Sequence, residues 1–98
     1  PAREIALSVL QPLRDADPSG QLVRTLACYL DYESSATDTA AVLGVHRNTV
    51  VQRLSRIRAI LGIDLADPMD RLAAHLATRA EQLSDRDGSA QDAPRSEM

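Results

Sequence analysis

Lysine, phenylalanine and tryptophan are absent from these 98 residues, and Tyr29 and Tyr32 are the only aromatics. That leaves no stacking platform for single-stranded nucleic acid and little material for an aromatic-rich β-sandwich. A core must be built from Leu, Ile, Val and Ala. The single cysteine, Cys28, excludes an internal disulfide, and one Cys with two His does not make the common four-ligand zinc site. No apolar run approaches the roughly 20 residues of a membrane span, and no signal-peptide pattern opens the chain. A reducing cytoplasm is therefore the expected compartment. Strand alternation and internal repeats are missing too. Ser, His and Asp occur, but nothing places a nucleophile beside a base, so neither an enzyme nor a cofactor is expected.

What is present is ordinary for a single globular domain: 44% hydrophobic and 26% charged residues. The net charge of −3 argues against a polyanion partner until its distribution is considered. Residues 1–45 carry −3 and residues 59–98 carry −4, whereas residues 46–58 hold Arg47, Arg53, Arg56 and Arg58 without one acid. Local field, not net charge, decides where a polyanion docks.

Apolar spacing predicts five helices and an all-α fold. The first covers about residues 3–11, with Ile5, Ala6, Val9 and Leu10 on one face, and ends at Pro12. Residues 14–20 read as a turn. The second helix runs from residue 19 or 20 to 32, burying Leu22, Val23, Leu26, Tyr29 and Leu30. Ser35 caps a short third helix, Asp38 favours its positive end, and Gly44 stops it. The fourth covers about residues 47–61, with Val50, Leu54, Ile57 and Leu61 turned inward, and Gly62 ends it. Asp67-Pro68 starts a fifth that continues to about Leu83. Its apolar stripe of Met69, Leu72, Ala73, Leu76, Ala80 and Leu83 reads as core, part of it free to face a second subunit. Residues 84–98 hold almost nothing apolar and are expected to form a disordered tail, which leaves residues 1–83 as the domain. Pro1 reads as a cut point inside a longer chain, and removal of an initiator Met would look the same.

The informative stretch is Thr39 to Leu54. A small Ala40 permits a close helix crossing, Gly44 makes a turn, and Val45, Val50 and Leu54 lock the next helix at an angle. This is the sequence form of a helix-turn-helix. At about 100° per residue, the face of the fourth helix opposite its apolar stripe carries Asn48, Gln52, Ser55, Arg56 and Ala59, flanked by Thr49 and Arg53 on one side and Arg47 and Val51 on the other. Those side chains are the ones that read base edges or bind phosphate. His46 stands at the cap position, where it can serve the helix or a backbone phosphate. The expected duplex-binding residues are therefore His46, Arg47, Asn48, Thr49, Gln52, Arg53 and Arg56. Asn48, Thr49 and Gln52 would face bases, Arg47 a base or a phosphate, and Arg53 and Arg56 the backbone.

Thr25-Leu26 and Tyr29-Leu30, then Ala40-x-x-Leu43-Gly44-Val45-His46-Arg47-Asn48-Thr49-Val50 with Arg53-Leu54, then Gly62-x-Asp64-Leu65-x-Asp67-Pro68-x-Asp70-Arg71, together resemble the C-terminal helix-turn-helix domain of PucR/CdaR-type bacterial transcriptional regulators. The resemblance spans about residues 22–83. It implies an output domain that binds double-stranded DNA, attached to an upstream part that senses a signal, and it matches Arg47, Asn48 and Thr49 to the start of the recognition helix and Arg53 to its basic position. Val51 and Gln52 depart from the pattern, where a basic residue and a tyrosine are common. The departure removes one cation and makes Gln52 a candidate adenine reader.

Plainer readings compete with these. An Arg-rich face is often only solvated surface; here the turn gives it a geometric use. Arg58 is expected to pair with a nearby acid, His75 to pack or lie at the surface, the two tyrosines to pack, and Cys28 to be a small helix residue. A helical protein–protein module that keeps the shape without reading DNA is the alternative function. Two copies on half-sites one helical turn apart, as a homodimer, would supply the affinity that one small module lacks.

Overall fold

The computed structural model describes the backbone of residues 8–96 and the side chains of residues 8–83. Among these residues the fold is all-α, with five helices after the helical Ser8 and Val9: α1 (Gln11–Ala16), α2 (Gln21–Asp31), α3 (Ala36–Leu43), α4 (Arg47–Leu61) and α5 (Pro68–Ser96). Helix α2 is the spine, packed against the other four, and α4 packs on α1, α2 and α3. The core is aliphatic: Leu10, Leu13, Leu22, Leu26, Leu30, Val50, Leu54, Ile57 and Leu65 cluster with Ala40, Ala74 and Ala77.

Pro12 begins a helix instead of ending one. It lies in the first turn of α1, where a missing N–H costs nothing because first-turn amides have no intrahelical acceptor. The break falls at Leu10, which is fully buried, and α1 turns Leu13 into the same core. The stretch expected to be a turn from residue 14 is therefore helical through Ala16. Ser8 and Val9 are helical; the start of the first helix, with Ile5 and Ala6, lies outside the described residues. Asp17 then organises the true turn. Its carboxylate accepts from the Ser19 hydroxyl, the Ser19 amide and the Leu22 amide at the head of α2. The Ser19 hydroxyl has the largest influence and lowers the carboxyl; desolvation, next in size, pushes it up, and the amides, each weaker, lower it again, so it stays below its ordinary value.

Helix α5 corrects a second expectation. Its core-facing residues are Ala74, Ala77 and Thr78, whereas Met69, Leu72, Leu76 and Leu83 are exposed. The small residues let α5 lie close along α2, and Arg14 of α1 clamps it through an ion pair with Glu81. The backbone of α5 continues through Ser96, past the end expected near Leu83, while the side chains of residues 84–98 lie outside the described set.

The loop from Gly62 to Asp70 is fastened by its own aspartates. Gly62 adopts a left-handed backbone (φ 65°). Asp64 accepts from the Ala66 amide, Asp70 from the Asp64 amide and Asp67 from the Asp70 amide, each at 2.9 Å. Arg71 donates to the carbonyl of buried Leu65 at 3.3 Å. The acidic string downstream of α4 is thus a structural clasp that sets where α5 starts.

Candidate nucleic-acid interface

The α3–α4 pair is built from its caps inward. Ser35 accepts from the Asp38 amide through its hydroxyl at 3.1 Å and opens α3. Thr39 is completely buried, its hydroxyl donating to the Ser35 carbonyl at 2.7 Å. Gly44 turns left-handed (φ 70°), and the Val45 amide reaches back to the Ala40 carbonyl at 3.0 Å, a closing bond typical of a glycine-terminated helix. A side chain at Gly44 would meet no atom within 4 Å. The position needs glycine for its backbone dihedral, not for space. Buried Ala40 and half-buried Val45 then seat α4 through Val50, Leu54 and Ile57. The two helices are broken at Gly44, and the polar side of α4 faces solvent.

His46 caps α4: its Nδ1 accepts from the Asn48 amide at 3.1 Å. A ring nitrogen that accepts must be unprotonated, so the neutral ring carries its proton on Nε2. His46→Ala is expected to lower stability by about 0.5–2 kcal/mol, with His46→Asp restoring it, in paired thermal melts.

Arg47, Asn48, Gln52 and Arg56 are exposed on α4, and Thr49 is half-buried beside them. Arg53 also has partners within the fold. It is half-buried and donates to the Thr25 hydroxyl and the Gln21 side-chain carbonyl, each at 3.3 Å, across a groove between α4 and the start of α2. It ties the helix to its brace while guanidinium donors remain for a further partner. Arg56 lies over the same groove, 3.5 Å from the Ala16 carbonyl. Gln21 and Thr25 were missed from sequence; no periodicity reports a polar contact that crosses between helices.

Among the described residues the carboxylate partners are Glu81, for Arg14, and Asp31, for His75 and Arg79. No ion pair there involves an α4 arginine. Arg58, expected to pair with an acid, is exposed without one among these residues. The cationic face of α4 is electrostatically uncompensated, apart from Asp17 at the edge of the groove. Cys28 is half-buried, and burial, then the nearby Asp31, push its thiol above the ordinary value, the reverse of what a nucleophile needs. No helix among the described residues is long and apolar enough to cross a membrane.

A glycine-broken pair of helices, braced by α1, α2 and α5 and presenting the polar side of its second member, defines a helix-turn-helix domain. Residues 22–80 match the family model described as the PucR C-terminal helix-turn-helix domain, and the chain belongs to that family. An uncharacterized protein in the pkwA 5' region of Thermomonospora curvata is 46% identical over 72 residues, which cover 72% of this chain and 40% of that protein. The purine catabolism regulatory protein of Bacillus subtilis is 39% identical over 77 residues, 78% of this chain and 14% of the relative. The carbohydrate diacid regulator of Escherichia coli is 35% identical over 81 residues, 83% of this chain and 21% of the relative. The chain thus spans well under half the length of each of these relatives. No solved structure matches it. Family membership places the chain among the helix-turn-helix domains of PucR-type proteins.

Proposed function

We propose that this domain is the DNA-reading output of a transcriptional regulator acting in the cytoplasm, with α4 entering the major groove of a double-stranded operator and two copies occupying paired half-sites. The observation that carries the reading is the exposed, uncompensated amino-terminal half of α4, held at a fixed angle by the Gly44 turn. Helix-turn-helix proteins reach bases with the residues at that end. Asn48 and Gln52 have the donor–acceptor pair that adenine accepts, Arg47 the fork that fits guanine, and Thr49 a methyl group for thymine. Arg56 lies farther along the helix and contacts phosphate, as does the outward Nε2–H of His46. Arg53 positions the helix through Thr25 and Gln21 and spends its remaining donors on the backbone. That two relatives are named as regulators supports the same class.

The test is selection of bound sequences from a random duplex pool at two ionic strengths. Enrichment of a defined motif, with affinity falling steeply as salt rises, is the expected result. A domain that contacts only protein enriches nothing. Arg56→Ala is expected to weaken all duplexes alike and to lower the slope of log affinity against log salt by about one. Salt-series titrations of wild type and variant on one duplex measure it.

A further inference from the structure

Helix α5 is apolar on two opposite sides. Ala74, Ala77 and Thr78 face the core. At about 100° per residue, Met69, Leu72, Leu76 and Leu83 form a stripe on the other side, exposed by 69%, 52%, 61% and 56%. A helix with two apolar sides needs two partners, and the fold supplies one. The large residues are turned outward and the small ones inward, the reverse of what core packing alone selects. Together they make a stripe of roughly a few hundred Å², the size at which exposed patches mark contact sites.

Met69, Leu76 and Leu83 recur every seven residues, with Leu72 at the intervening seam position. The next such position is Arg79, exposed and 3.5 Å from Asp31. A parallel pairing of two copies would set Arg79 against Arg79. An antiparallel pairing centred on Leu76 sets Arg79 against Ala73, Leu72 against Ala80 and Met69 against Leu83, so each large residue near the ends of the seam meets an apolar or small one. The stripe is its own complement about Leu76, as a two-fold interface requires.

We propose that the outer face of α5 is a homodimer surface, two copies packing antiparallel with Leu76 on the two-fold axis. The inference rests on the proposed use of two copies and adds the surface through which they meet. Two stripes with their flanking residues remove roughly 1,000 Å² from water, the lower end of specific interfaces. The self-association is accordingly weak, with a dissociation constant of roughly 10 µM to 1 mM.

Sedimentation of the 98-residue chain without DNA, up to about 1 mM, is expected to show a monomer–dimer equilibrium. Leu76→Arg should raise the dissociation constant by roughly 100-fold or more with the dilute melting temperature unchanged, since Leu76 is exposed and outside the core cluster. In a Cys28→Ser background, Leu76→Cys should oxidise to a symmetric disulfide-linked dimer. Met69→Cys alone should not, whereas Met69→Cys mixed with Leu83→Cys should cross-link. A chain that stays monomeric at about 1 mM, a dimer that survives Leu76→Arg, or self-cross-linking of Met69→Cys overturns the proposal. DNA is absent throughout, so these failures leave the reading of α4 standing, and a failed operator selection leaves this surface standing.

Discussion

Asn48→Ala is expected to weaken binding to the selected operator by about 1–3 kcal/mol, roughly 5- to 150-fold, and to relax sequence preference at one base position. The side chain is exposed and belongs to the first turn of α4. Its backbone amide, not its side chain, takes part in the His46 cap, so truncation leaves the cap and the fold alone. The loss must then come from the duplex. Arg47→Ala is expected to cost a similar amount if it reads guanine, and to reduce affinity without altering preference if it meets phosphate. Fluorescence titration of the operator and of single-base variants separates the two. Unchanged operator binding by both variants would remove α4 from the groove.

The same residues show how much of the site was legible. The turn was readable because its physics is local: Gly44 needs a left-handed dihedral, Ser35 and Asp38 are three residues apart, and Val50, Leu54 and Ile57 repeat at the helical period. The exposed face of α4 followed from the same periodicity. The brace that Arg53 makes within the fold was not legible, because its partners, Gln21 and Thr25, lie 32 and 28 residues away. Its charge, its place on the helix flank and the resemblance assigned it to phosphate, and the fold adds a brace.

In the fold, the stripe misplaced on α5 has a physical source. Apolar patterning reads size, and the core of this protein also uses small and hydroxylated residues. Thr25, Thr39 and Thr78 are buried because each hydroxyl bonds a carbonyl one turn back, at 2.7, 2.7 and 3.0 Å. With those bonds made, a threonine packs much as a valine does, yet a hydropathy pattern counts it as polar. On α5 the consequence is a stripe assigned to the wrong side: the leucines point out because Ala74, Ala77 and Thr78 give the closer approach to α2. Pro12 was misplaced for another reason, since proline both ends a preceding helix and starts a following one, and only the burial of Leu13 decides between them.

Ile57→Ala should lower the stability of the domain by about 2–5 kcal/mol, through lost transfer energy and the cavity left where the helices meet. Ile57 is fully buried, and α4 packs on α1, α2 and α3. A domain of this size has a total of about 5–15 kcal/mol to lose, so the change moves the midpoint of urea denaturation far at nearly constant slope. Val51→Ala on the same helix is the control: Val51 is 40% exposed, and its truncation should stay within about 0.5 kcal/mol. A loss below about 1 kcal/mol for Ile57→Ala would mean that α4 is not anchored where the structure puts it. Operator DNA ties this result to the first one. A duplex that binds only the folded state raises the melting temperature by an amount set by its concentration over its dissociation constant. Ile57→Ala keeps the reading face, so saturating operator should stabilise it by about as much as wild type. Asn48→Ala keeps the core and should gain less from the same duplex. Opposite defects on one helix, one in folding and one in the duplex-induced shift, are what a recognition helix that is also a core element must show.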